Sequence, residues 1–158
     1  MPLTNQSRLT KYDQSLRDST GAFTGDDWTS VTDIGETFGG VRLTLAAYLD
    51  IGARHLHVIA SFLEESAVTA VTALGVENAK GQFPVSEGQT LSPIQAIELV
   101  RAMLRDEVWC RLQDGDGFYI HVGWDYYVYV GSDRPCERSV KLARQLGLFI
   151  DQPFESLT

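Results

Sequence analysis

His121 and Asp125 come closer to a catalytic pattern than other residues of this chain, because an imidazole beside a carboxylate can exchange protons with a substrate. Tyr119 and Tyr127 flank the pair, so a general acid–base site is conceivable here. The pattern lacks a third group that would orient the histidine, and no serine lies in a nucleophile-elbow context. We therefore expect a protein that is not an enzyme.

Motifs for metals and cofactors are also missing from the sequence. Cys110 and Cys136 do not form a CxxC pair and have no histidine at metal-ligand spacing. Residues 114–117 (DGDG) resemble the beginning of a calcium loop, but the later ligands and the final glutamate are absent. Neither glycine-rich phosphate motif occurs. The sequence therefore predicts no metal site and no cofactor.

Residues 108–130 predict a three-strand antiparallel meander, in which alternate side chains separate into an apolar and an aromatic face. We expect Val108, Cys110 and Leu112 to pair with Val122, Ile120 and Phe118, and these to pair with Tyr126, Val128 and Val130. A three-residue loop at 123–125 keeps the two faces separate, whereas a two-residue turn would mix them.

The aromatic face of this meander is the candidate binding surface. It carries Trp109, Arg111, Tyr119, His121, Tyr127 and Tyr129, and the hairpin tips add Asp114, Asp116, Trp124 and Asp125. Since Tyr, Trp and Arg dominate binding hot spots, we expect these ten residues to contact a partner. The alternative is that helices cover this face, with the rings filling volume and their polar tips reaching water or backbone.

Apolar spacing predicts helices near 27–38, 41–64, 92–105 and 135–146, with Gly52 as a kink or break in the second. Residues 92–95 (SPIQ) form a capping box that begins the third helix. Residues 66–78 fit a strand or a helix, and residues 148–150 fit a short strand or a docked tail.

These elements predict an α+β fold, with an antiparallel sheet around 108–130, further strands where the chain allows, and about four helices. We expect one domain over 1–158, with poor order in 1–20 and 152–158.

The charge of the chain limits the classes of partner that it is expected to bind. Among 158 residues, 21 are acidic and 13 basic, which gives a net charge of −8. No Lys and Arg cluster is present, so nucleic acid is a disfavoured partner, and an acidic surface would attract a basic protein. No apolar run reaches the ~20 residues of a membrane span, and the N-terminus lacks a secretory signal. We expect a cytoplasmic protein that does not enter a membrane.

No specific motif identifies a family. The profile of a small, acidic, cytoplasmic α+β domain without catalytic residues is similar to that of bacterial immunity proteins, which mask the active surface of a toxin. This resemblance implies a non-enzymatic protein that docks on a basic partner. Two alternatives stay open: a small-molecule-binding or enzymatic domain with a pocket around His121, and a structural protein that hides the aromatic face in a homodimer.

Overall fold

The fold is α+β, as predicted, and a computed structural model describes residue 3 and residues 5–152. The helices are α1 (Leu45–Glu65), α2 (Pro93–Leu104) and α3 (Glu137–Gln145). The strands are β1 (Asn5–Thr10), β2 (Thr37–Phe38), β3 (Val41–Arg42), β4 (Val71–Glu77), β5 (Thr90–Leu91), β6 (Trp109–Asp114), β7 (Phe118–Val122), β8 (Val128–Ser132) and β9 (Phe149–Asp151). Within the described residues there are three α-helices, slightly fewer than the four expected.

Seven strands form one antiparallel sheet in the order β5-β4-β6-β7-β8-β1-β9, and β2 and β3 form a separate hairpin. The three-strand meander is β6-β7-β8, and its two faces are sorted as predicted. The predicted register is wrong by two residues in each hairpin, since Leu112 pairs with Ile120 and Ile120 with Val130. An even shift leaves every side chain on the predicted face.

The loop between β7 and β8 explains the second of these register errors. Val122 pairs with Val128, so residues 123–127 form the loop instead of the expected residues 123–125. The Gly123 N–H donates to the Tyr127 carbonyl at 2.9 Å and closes the loop. Tyr126 therefore lies in the loop and not in a strand, which frees its ring to point away from the sheet.

The helices pack on the apolar face of the sheet. Met103 of α2 accepts the Cys110 N–H at a sulfur distance of 3.4 Å, and Ser66, which follows α1, is hydrogen-bonded to Ser132 of β8 at 2.8 Å. α3 packs beside α1, where the Ser61 and Ser139 hydroxyls are 2.7 Å apart. The aromatic face thus lies on the side of the sheet opposite to the helices.

The helix expected at 27–38 is wrong. Residues Val31–Asp33 form a single 3₁₀ turn, capped at Ser30, and residues 37–42 form the β2-β3 hairpin. Gly35 has a φ of 98°, which an α-helix does not contain, and its N–H donates to the Leu43 carbonyl at 2.8 Å. Glycine in a helix interior lowers stability by about 1 kcal/mol relative to alanine. In this chain Gly35 instead allows the backbone to turn.

The remaining elements agree with the sequence to different degrees. α2 has its predicted capping box, and β9 forms where a short strand was one of two options. α1 begins at Leu45, four residues later than expected, because Thr44 caps it and the preceding residues belong to β3. It continues through Gly52 as one helix.

The ambiguous segment at 66–78 contains strand β4. β1 lies within the residues expected to be poorly ordered, and it pairs with β8 on one side and β9 on the other. Of the C-terminal segment expected to be poorly ordered, residues 153–158 lie outside the described part of the chain.

An aromatic cluster fills the space between α1 and the β7–β8 loop. The Tyr126 ring lies 4.9 Å from Trp28, 5.9 Å from Tyr48 and 4.9 Å from His55, measured between centroids and with edge-to-face geometry. Such pairs add about 0.5–1.5 kcal/mol each beyond burial. The cluster therefore attaches the loop firmly to the helix layer.

His55 is fully buried in this cluster, and its Nδ1–H donates to the Ile51 carbonyl at 2.8 Å. Its Nε2 has no hydrogen-bond partner among the described residues. Burial lowers the pKa of His55 to about 4. The imidazole is therefore neutral in the folded protein at pH values where the unfolded chain binds a proton.

We predict that the free energy of unfolding falls as the pH is lowered from 7 to 4.5, by roughly 2–3 kcal/mol from His55 alone. The unfolded chain takes up this proton near pH 6.5 and the folded chain only near pH 4, so acid favours unfolding in that window. Urea titrations at both pH values measure the effect. His55→Leu should have a smaller pH dependence, and the exposed His57→Leu should match the wild type. If all three proteins lose the same unfolding free energy between pH 7 and 4.5, His55 is not the group responsible.

Candidate binding groove

A groove of about 840 Å³ opens at one end of the sheet, and its floor belongs to the aromatic face. The floor consists of Trp109 from β6, His121 from β7, Tyr129 from β8, and Tyr127 from the β7–β8 loop. Residues 77–80 after β4, the α2–β6 turn at 106–108, and loop residues 123–125 form the walls. The volume lies within the range of ligand pockets, about 300–1,000 Å³.

Neighbouring groups hold the rings of the floor in place. Trp109 donates its indole N–H to the Val122 carbonyl at 2.8 Å, and its ring meets His121 edge-on at 5.2 Å. The Tyr129 ring packs against Gly123, where an added Cβ would come within 2.7 Å of it. The floor therefore presents aromatic surface without the entropy cost of ordering it.

Tyr127 is held by two guanidinium groups. Arg8 lies 4.5 Å above the Tyr127 ring centroid, and Arg17 donates to the Tyr127 hydroxyl at 2.8 Å. Arg8 is itself fixed by Asp151, whose carboxylate accepts its Nε–H at 2.8 Å. A cation–π contact such as that of Arg8 contributes about 0.5–1 kcal/mol even at an exposed position. These contacts come from β1 and the segment after it, which the sequence patterns did not connect with the meander.

His121 is the polar group in the floor of the groove. It is only 7% exposed, and its Nδ1 has no hydrogen-bond partner among the described residues. Burial lowers its pKa, and the nearby Arg111 cation lowers it further. His121 is therefore mainly neutral near pH 7, so the floor carries no positive charge from the imidazole.

The rim of the groove is acidic. Glu77, Asp106, Glu107 and Asp125 line it. Among the described lining residues the one ammonium group is that of Lys80, which donates to the Asp106 carbonyl at 3.3 Å. Carboxylates around a concave surface concentrate a negative potential and attract cations. The groove thus combines aromatic rings below with carboxylates above.

The β7–β8 loop places the most exposed aromatic side chain of the described residues beside this rim. Trp124 is 90% exposed, and the two residues after it, Asp125 and Tyr126, have φ values of 57° and 65°. This left-handed conformation costs about 1–2 kcal/mol for each residue that is not glycine. The buried ring of Tyr126 offsets that cost and fixes the positions of Trp124 and Asp125.

Six of the ten predicted contact residues line the groove: Trp109, His121, Trp124, Asp125, Tyr127 and Tyr129. Tyr119 and Arg111 lie outside it. The Tyr119 hydroxyl donates to the Gln6 side chain at 2.6 Å, and Arg111 lies 5.1 Å from the Tyr119 ring centroid.

Asp114 ends β6 and Asp116 lies in the β6–β7 turn, at the opposite end of the sheet and about 17 Å away along the five-residue strand β7. One small partner segment therefore does not reach all ten residues.

The acidic rim outside the loop was not predicted from the sequence. Glu77 ends β4, whose assignment was ambiguous, while Asp106 and Glu107 follow α2 and suggest only a solvated helix end. One signal was available: the residues just before β6 lie at the same sheet end as the β7–β8 loop in any antiparallel meander.

In the described part of the chain, no helix has the length and apolar character needed to cross a membrane, and no three His, Cys, Asp or Glu side chains are grouped to hold a metal ion. No known protein family, curated protein or solved structure matches this chain.

We predict that Gly123→Ala destabilises the protein by about 1–3 kcal/mol, because the new methyl group must displace the Tyr129 ring. The backbone of Gly123 does not require glycine, so the cost comes from packing. Gly117→Ala is the matched control, since its Cβ would meet only the end of the Asp133 carboxylate at 3.0 Å. Thermal unfolding compares the two variants. Equal melting temperatures would show that the Tyr129 ring does not pack tightly against Gly123.

Proposed function

We propose that this chain is a non-enzymatic binding protein that docks a basic segment of a protein partner in the groove. The observation that carries the proposal is the juxtaposition of an ordered aromatic floor with four carboxylates on the rim. Arginine and lysine side chains are the protein groups that fit both features, since they stack on aromatic rings and pair with carboxylates.

The charge of the chain supports a basic partner. The net charge of −8 and the rim carboxylates would speed the encounter with a cationic surface, and they would disfavour nucleic acid and acidic proteins. Exposed ion pairs contribute little affinity, so the rim acts mainly on selectivity and association rate.

The affinity would come from the aromatic side chains. Trp124 is almost fully exposed and held on a strained loop, and Trp109 is half-buried in the floor beneath it. Binding hot spots are enriched in tryptophan, tyrosine and arginine, and rigid presentation reduces the entropy lost on docking. We assign Trp124 the largest single contribution.

In its finer form, the proposal is that the partner is a toxin domain and that this chain neutralises it as a bacterial immunity protein in the cytoplasm. An acidic groove that covers a basic surface would suit that role. A gene immediately upstream for a large secreted protein with a basic C-terminal domain would support this form. If no such gene lies upstream, the toxin-neutralising role is ruled out, but the general proposal of a basic protein partner is not affected.

A small-molecule site is the second candidate function, and one observation favours it. His121 lines a groove of ligand-pocket size and keeps a buried Nδ1 that has no partner among the described residues. A ligand that hydrogen-bonds to His121 would be lost in His121→Ala. Docking of a basic segment on the rim would be much less affected by that substitution.

We predict that a labelled arginine-rich peptide binds the wild-type protein, and that Trp124→Ala weakens binding about tenfold or more. Asp125→Asn should weaken it about threefold at low salt. Fluorescence anisotropy measures the affinities. Asp116→Asn is the matched control: it makes the same change in net charge at the other end of the sheet, and it should leave binding unchanged.

Two outcomes would contradict the proposal. Equal losses for Asp116→Asn and Asp125→Asn would mean attraction by net charge alone. The second outcome is that the peptide does not bind, while light scattering shows a wild-type dimer that Trp124→Ala dissociates. This result would favour a structural protein that hides its aromatic face in a homodimer.

A further inference from the structure

A second concave site lies between α1 and α2, apart from the groove. This α1–α2 slot has a volume of about 190 Å³. Gly52, which has no side chain, and Ala53, which has a small one, leave space on the α1 side. Leu49, Leu56 and Leu104 form apolar walls. An apolar cavity of about 150 Å³ binds a benzene ring, so this slot has room for one ring or an equally compact body.

The deep end of the slot is formed by two tyrosines of the aromatic cluster. Tyr48 donates its hydroxyl to the Leu104 carbonyl at 3.2 Å, and the Tyr126 hydroxyl lies 3.1 Å from where a Cβ on Gly52 would stand. The missing side chain at Gly52 therefore keeps this end open. The sequence predicted a kink or break at Gly52, but the helix continues through it and the glycine leaves space for the slot.

Two guanidinium groups lie at the slot, one helical turn apart on α2. Arg101 contacts Glu98 through Nη1 at 2.8 Å, and Arg105 is the residue that ends the helix. Among the described residues that line the slot, none is a carboxylate. Asp106 and Glu107 follow Arg105, but they line the groove. The described lining of the slot thus carries guanidinium groups and no carboxylate, in a protein whose net charge is −8.

From this geometry we propose that the α1–α2 slot binds a free small carboxylate with a compact apolar body, of about the size of benzoate. The apolar body would lie against the leucine walls, where burial is favourable. The carboxylate would meet Arg101 and Arg105, because guanidinium groups bind carboxylates through paired hydrogen bonds. This site has the opposite charge preference to the groove and does not depend on the function proposed for it.

The test is a titration of the full chain with benzoate, followed by the NMR amide signals of Gly52 and its neighbours. We expect saturation with a Kd of about 1 mM, the usual range for a ligand of nine heavy atoms. Benzyl alcohol and benzylamine should bind about tenfold more weakly or not at all. Arg105→Gln should lose about tenfold in affinity for benzoate.

Two further variants separate binding from folding. Ala53→Leu fills the slot from an exposed position that suits a good helix former, so binding should be lost while the melting temperature is kept. Arg144→Gln removes an exposed arginine from the last turn of α3 and should bind benzoate like the wild type. Lack of saturation at about 10 mM benzoate, or unchanged affinity in both Arg105→Gln and Ala53→Leu, would overturn the proposal.

Discussion

The burial of the Tyr126 ring against α1 is the interaction on which the binding end of this protein depends. Two successive residues, Asp125 and Tyr126, have left-handed backbone conformations that disfavour side chains. The loop keeps this shape because the Tyr126 ring packs among Trp28, Tyr48 and His55. A strained loop persists only where surrounding structure over-determines it. The same ring borders the α1–α2 slot on one side, while its backbone supports the groove wall on the other.

The second constraint is the asymmetry of the sheet. The described helices pack on one face of the sheet, and the other face is covered in part by its own rings, which pack against glycines and guanidinium groups. Tyr119 lies over Gly131, and Tyr129 lies over Gly123. This mutual cover contributes to the burial of Tyr119, His121 and Tyr129 on a face that none of the described helices covers. The groove lies between the β7–β8 loop and the α2–β6 turn, where this cover of the aromatic face ends.

The parity of the meander was predictable, because the side-chain period of a strand is two and a clean apolar face admits only registers of one parity. The absolute register could not be predicted, because it depends on the length of the loop. By the alternation pattern alone, Tyr126 looks like one more apolar residue of the strand. The helix expected at 27–38 failed for a related reason. Its apolar spacing is helical, but Gly35 and the hairpin turn at Gly39 and Gly40 override that spacing.

The candidate site was only half visible in the sequence. Residues of one strand or one hairpin could be placed by alternation, which located Trp109, His121 and Tyr129. The contributions of β1, β4 and the α2–β6 turn are contacts between distant segments, and no local pattern encodes them. Arg8 on Tyr127 is such a contact, made across more than a hundred residues of chain.

The most direct test of this account is the mobility of the β7–β8 loop, measured by ¹⁵N relaxation of the Trp124 and Asp125 amides. In the wild type, we expect order parameters near 0.85, as in a rigid backbone. In Tyr126→Ala they should fall below about 0.6, while the amide shifts of β6 and β7 stay in place. A loop that is already mobile in the wild type, or equally rigid in the variant, would contradict the claim that this buried ring holds the binding end together.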